Sequence, residues 1–275
     1  MKKVIKRAAA LLLALLCVFP AYAAGPGEAA GGSSAAAGTK VSASLSSNSV
    51  KTSQLDNFQY YLYSPKNPTE NMAMIVYLHG HGTPDLKNLG KNKVFVDLMD
   101  QAAKKEGAYI LAPLLPPEYD LGSKGMWPAV ESSLLELVNA VADAYQIDRS
   151  RISLAGCSMG ADASIQIAAH HPDVFSCITG IVPYHIQCPI AKWEDSWAAA
   201  LKNVPVWMFI EDEETAIQKA ETARDAIIAA GGQSWVDVQH GADHGAATRQ
   251  ALDSSGWDIY SWMISVSKPQ ADTPL

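Results

Sequence analysis

Apolar and polar positions change period along the chain, and the changes mark out elements. "AMIVYLHG" (73–80) is a continuous apolar run that stops at His-Gly, the pattern of a strand buried on both faces. "AYILAP" (108–113), "RISLAG" (151–156), "SCITGIVP" (176–183), "VPVWMFI" (204–210) and "SWVDVQ" (234–239) read as further strands, and "FQYYLYS" (58–64) as an edge strand. Between them the period lengthens. "VFVDLMDQAAKKEG" (94–107) has helical spacing and a glycine stop. "AVESSLLELVNAVADAYQ" (129–146) sets Leu134, Leu137, Val138 and Val141 on one helical face. "ADASIQIAAHH" (161–171), "AIQKAETARDAIIAAGG" (216–232) and "WDIYSWMIS" (257–265) are helical as well. Strands apolar on both faces, taking turns with helices, predict an α/β fold: a mostly parallel sheet covered by helices on both sides. One domain is expected over 51–268, with a short tail at 269–275.

The first 50 residues break this pattern. "MKKVIKR" is basic, "AAALLLALLCVF" is apolar, and "AYA" (21–23) is a small-x-small cleavage signal. The stretch predicts a secretory signal peptide over 1–23, and hence a secreted or periplasmic protein. The apolar run is short for a membrane anchor, and Leu16 before Cys17 disagrees with lipid attachment there. Residues 24–50 are mainly Gly, Ala and Ser, which bury too little surface to offset ordering, so a flexible spacer is expected. The signal carries Lys2, Lys3, Lys6 and Arg7, so the net charge of −7 becomes −11 without it. That charge disfavours nucleic acid and, after cleavage, anionic membranes. Cys157, Cys177 and Cys188 remain, with no C-x-x-C pair to suggest a zinc cage. A Cys177–Cys188 disulfide and three buried thiols both stay open.

Chemistry concentrates at "RISLAGCSMGADAS" (151–164). Gly156-Cys157-Ser158-Met159-Gly160 fits G-x-S-x-G between a strand and a helix, the context of a nucleophile elbow. The glycines are needed because a side chain at either position would collide with strand or helix. Ser158 then projects at a helix N-terminus, where partial positive charge favours an oxyanion. Cys157 sits at a position expected to turn from the cleft. A serine hydroxyl needs a base, and His244, after the last strand, is the candidate, in a loop on the same side of the sheet. His240 is expected to orient or support, and His170 and His171 to form a solvated helix end. The backbone N–H groups of Met159 and His81, with Gly82 as second choice, are the expected oxyanion donors. His79 and His81 lack further ligands in register, so no metal is expected.

These stretches resemble the α/β-hydrolases. The likeness is to the secreted group with feruloyl esterases, acetyl xylan esterases, polyhydroxyalkanoate-depolymerase-like enzymes and predicted peptidases. "YLHGHG", "AYQIDRSRISLAGCSMGADAS", "AAHHPDVFSCITGIVP", "NVPVWMFIEDEE" and "GADHG" carry it. Ala161 stands where that group has a further glycine, and Ile210-Glu211 where it has His-Gly. The resemblance implies an α/β-hydrolase fold, an acyl-enzyme on Ser158, no cofactor, and a small-molecule or polysaccharide-linked ester substrate. It also implies an acid after "VPVWMFI". Counting forward from the strand gives Glu214, counting back from the helix gives Asp212, and Asp212 is preferred. Trp127, Tyr184 and Trp193 lie on the two long connections, where aromatics either stack on a sugar or phenolic acyl group or pack the loops. A peptidase of the same fold, or a catalytically silent binding protein, are the alternatives.

Overall fold

The computed structural model describes residues 44–105, 107–120, 124–185, 188–252 and 258–268. The expected signal peptide, the spacer up to residue 43 and the tail 269–275 lie outside them. Among the described residues, eight strands form one sheet in the order β1-β2-β4-β3-β5-β6-β7-β8. They are β1 (Ser44–Val50), β2 (Phe58–Ser64), β3 (Ala73–Leu78), β4 (Ala108–Pro113), β5 (Ile152–Cys157), β6 (Ile178–Ile181), β7 (Val206–Glu211) and β8 (Ser234–Gln239). The helices are α1 (Leu86–Leu89), α2 (Lys93–Lys105), α3 (Glu131–Ala144), α4 (Met159–His170), α5 (Ser196–Ala200), α6 (Glu214–Ala229), α7 (His244–Gln250) and α8 (Ile259–Ser265). None of these helices is long and apolar enough to cross a membrane.

The sheet is parallel from β4 to β8 and antiparallel at β1/β2 and β2/β4. Alternation along β3 shows why its sequence is apolar throughout. Met74, Val76 and Leu78 enter one core with α3, α4 and α6, while Ala73, Ile75 and Tyr77 enter the other with α2, α7 and α8. Period 2 thus feeds two hydrophobic layers, and no polar face is left over.

Two expectations need correction. Residues 44–50 are strand, not spacer: β1 pairs with β2 from Ser44↔Ser64 to Val50↔Phe58. β2 is therefore an inner strand. The segment "SLSSNSV" hid this because an edge strand is held by its backbone ladder and needs little apolar surface; Leu45 is 43% exposed. His244 does not lie in a loop either. It opens α7, which is capped by Asp243 accepting from the Ala246 N–H at 2.7 Å.

Cys177 and Cys188 are not paired. Cys177 is buried in the core, its thiol toward the Met263 carbonyl at 3.8 Å. Cys188 instead lines the cavity described below.

Candidate active site

Strand β5 ends at Cys157, and α4 begins at Met159. Ser158 between them has φ 54° and ψ −123°, a conformation that L-residues avoid. The turn is held by the Ser158 N–H, which donates to Ile181 O at 2.8 Å, and by the Ala161 and Asp162 N–H groups, which donate to Ser158 O. The two glycines are required by contact. A Cβ on Gly156 would stand 2.1 Å from Gly160 O, and one on Gly160 would stand 2.1 Å from Leu78 O. Both obstacles are backbone and cannot rotate away. Gly160→Ala is expected to destabilise the protein by at least about 1–3 kcal/mol, measured by urea unfolding. Unchanged stability would show that the elbow relaxes.

The Ser158 hydroxyl donates to His244 Nε2 at 3.0 Å. His244 Nδ1 donates to Glu211 Oε1 at 3.1 Å. The carboxylate against His244 is therefore Glu211, neither Asp212 nor Glu214. The run "IEDEET" divides as follows. Glu211 is the last residue of β7, paired in register with Gln239, and it is 3% exposed. Asp212 points toward the neighbouring turn and accepts from the Gly241 N–H at 2.8 Å. Glu213 caps α6 by accepting from the Thr215 and Ala216 N–H groups. Glu214 is exposed in the first turn of α6. The cause of the displaced expectation is strand length: β7 runs one residue further than the apolar pattern, so the strand's own end supplies the carboxylate.

Burial raises the Glu211 pKa, but hydrogen bonds from His244 and His185 outweigh it and hold the carboxyl below its ordinary value. His185 was not singled out by the sequence. Its Nδ1 donates to the same oxygen, Glu211 Oε1, at 3.0 Å, and its ring centroid lies 4.2 Å from that of His244. No sequence signal marks it, because it reaches the acid from the β6–α5 connection. His240 side-chain exposure is 84%, and its Nδ1 is 3.9 Å from Asp212. His170 and His171 meet Glu131 instead.

A cavity of about 370 Å³ opens over Ser158, lined among others by Gly80, His81, Met159, His185 and His244. Both expected oxyanion donors, Met159 and His81, thus border the serine's cavity. The second choice, Gly82, has its N–H engaged by Asp120 Oδ2 at 2.9 Å, while Asp120 Oδ1 meets His81 Nδ1 at 2.9 Å. Cys157 borders the cavity too, but it is buried in the core layer that α7 covers, its thiol toward Thr248 Oγ1 at 3.8 Å. Its thiol is pushed up to about 12 by burial, which opposes any role as a thiolate.

The three expected pocket aromatics are absent from the residues lining this cavity. Trp127 is fully buried, donating from Nε1 to His79 O at 3.0 Å. Tyr184 is 1% exposed, and its backbone N–H donates to Asp162 Oδ1 at 2.7 Å. Trp193 packs on Trp197, ring centroids 5.8 Å apart. All three are loop packing.

His79, directly after β3, is fully buried. Its Nδ1 donates to Gly80 O at 2.8 Å, and its Nε2 accepts from the Leu115 N–H at 3.0 Å. Burial pulls its pKa down from 6.5 to about 4. The unfolded chain binds this proton below about pH 6.5, the folded chain only below about pH 4. Stability is therefore full above pH 6.5 and falls by up to about 3 kcal/mol as the pH drops toward 4. Urea unfolding across that range should show the loss, and His79→Gln should flatten it; equal slopes would remove His79 from the account. Metal-ligating groups do converge elsewhere: the donor atoms of His185, Glu211 and His244 all lie within 4.8 Å of one another.

Comparison with known proteins places this chain among esterases. The family model named Esterase, described as putative esterase, matches residues 53–252. No curated protein matches the chain. Among solved structures, a thermostable esterase superposes with TM-score 0.64 at 19% identity, covering 82% of this chain and 63% of that one. This chain thus spans less than two thirds of that esterase. A ferulic acid esterase superposes with TM-score 0.61 at 14% identity, over 81% of this chain and 99% of the other. A protein titled putative dienelactone hydrolase, from Klebsiella pneumoniae subsp. pneumoniae, gives TM-score 0.59 at 22% identity, over 80% and 95%. At these identities the likeness is one of fold, the α/β-hydrolase fold.

Proposed function

The chain belongs to the esterase family, and from that premise we propose that it is a serine hydrolase cleaving carboxylic esters through an acyl-enzyme on Ser158. The observation that carries this reading is the unbroken chain Ser158 Oγ–His244 Nε2, His244 Nδ1–Glu211 Oε1, at 3.0 and 3.1 Å. His244 takes the serine proton as Oγ attacks the ester carbonyl, then returns it to the departing alcohol. Glu211 orients the ring and stabilises the imidazolium. The Met159 and His81 N–H groups face the developing oxyanion, and the N-terminus of α4 adds its dipole. Water then releases the acid by the same steps in reverse.

The cavity volume lies in the range of small-molecule sites and suits a compact acyl group, carried on a small molecule or on a polysaccharide. Export through the signal peptide at 1–23 belongs to the same reading and is checked by the N-terminus of the mature protein. The central test is labelling with a fluorophosphonate probe, followed by a panel of short-chain p-nitrophenyl and feruloyl esters. Labelling that disappears in Ser158→Ala, with turnover on at least one ester, is expected. A folded protein that is neither labelled nor active would leave a binding role.

A further inference from the structure

One histidine on the acid is enough for the proposed reaction, yet two donate to the same oxygen. His185 is held there by a built anchor. The preceding Tyr184 has φ 65°, and its N–H is fixed by the buried Asp162. We infer that His185, Glu211 and His244 form a binding site for a divalent transition ion of the Zn²⁺ type, and that the ion switches the enzyme off. The binding half rests on geometry alone; the switching half rests on the proposed function.

Two imidazoles and a carboxylate are the donor set that borderline ions prefer, whereas Mg²⁺ and Ca²⁺ require oxygen donors. Ligands about 2.0–2.2 Å from a tetrahedral ion stand about 3.3 Å from each other. Both Nδ1···Oε1 separations here, 3.0 and 3.1 Å, are close to that spacing, and all three donor atoms lie within 4.8 Å of one another, so binding draws the two imidazoles closer together. Glu211 Oε2 is buried without a hydrogen-bond partner, so a second oxygen is free for the ion. The histidine side chains are 30% and 31% exposed and line the cavity, so an ion enters from solvent and keeps a water on the cavity side.

The switch follows from where the protons sit. Without the ion, each ring carries its proton on Nδ1, toward Glu211, and His244 Nε2 is free to accept from Ser158. An ion takes the Nδ1 lone pairs. The two displaced protons then move, through solvent, each to the Nε2 of its own ring, His244 included. No proton is lost overall and no covalent bond to Ser158 changes, but Nε2 now donates and can no longer act as base.

The test uses the full chain carrying Ser158→Ala, titrated with Co²⁺ and read by visible absorption, then with Zn²⁺ in competition. One ion per chain is expected. His185→Gln and His185→Ala, each checked for folding, should weaken binding about tenfold or more. His171→Gln, at the other two-histidine carboxylate, should change nothing. In the active chain, Zn²⁺ should inhibit ester hydrolysis over the same concentration range, a chelator should restore it, and His185→Gln should raise the half-inhibiting concentration by the same factor. No ion binding, unweakened binding in folded His185 variants, or loss only in His171→Gln overturns the site. Ion binding without inhibition of an active esterase overturns the switch. An inactive wild type that still binds one ion upholds the site and overturns the hydrolase reading, so the two failures stay apart.

Discussion

Ser158→Ala is expected to lower ester hydrolysis by about 10⁴-fold or more while the protein stays folded. The substitution removes one oxygen, the atom that bonds to the acyl group. Its hydroxyl bonds to His244 Nε2 at 3.0 Å, at the floor of a solvent-open cavity, so little stability goes with it. Alanine at this position keeps the strained φ of 54°, because the turn is held by the backbone bonds to Ile181 and from Ala161 and Asp162, and these do not involve the side chain. The measurement is turnover of a chromogenic acetate ester, with circular dichroism to confirm the fold. Retention of more than about a tenth of the activity is far outside what a nucleophile's loss allows, and it would remove Ser158 from the mechanism.

Glu211→Gln should be almost as damaging, lowering turnover by about 10³–10⁴-fold with substrate binding little changed. Glutamine keeps the volume and one acceptor oxygen, so the site should stay packed. It loses the charge that steadies the imidazolium. Its amide N–H₂, turned toward His244, would favour the tautomer with the proton on Nε2, which cannot accept from Ser158. Asp212→Asn, by contrast, should leave turnover close to wild type. Asp212 binds the Gly241 N–H, and an amide oxygen does that equally well. His240→Ala should likewise be mild, since that ring is exposed and stands 3.9 Å from Asp212. A crippled Asp212→Asn beside a near-normal Glu211→Gln would reverse the assignment of the acid.

The contrast between those two carboxylates shows how far residue patterns reach. Ser158 is legible because its demands are local: a strand, a helix, and two glycines whose side chains would overlap backbone. His244 is legible because chain order puts it after the last strand, at the same carboxyl end of the strands where Ser158 projects. The acid is different. Four carboxylates stand within "EDEE", and every one has a plausible local role. Which one meets His244 depends on where β7 stops pairing with β8, and the Glu211↔Gln239 pairing sits one position beyond the apolar run.

The alternation of apolar runs with helical spacing determined an α/β sheet covered on both faces, because burying those runs leaves no other arrangement. The G-x-S-x-G stretch determined the elbow, because only glycine fits beside it. Tertiary structure alone decided the rest. It recruited "SLSSNSV" as β1, since backbone pairing does not need apolar side chains. It buried Trp127 and Tyr184, since a long connection's aromatics go wherever they exclude most water. It brought His185 onto Glu211 across 26 residues of chain. Such contacts join side chains whose spacing in sequence carries no period, so only the folded backbone brings them together.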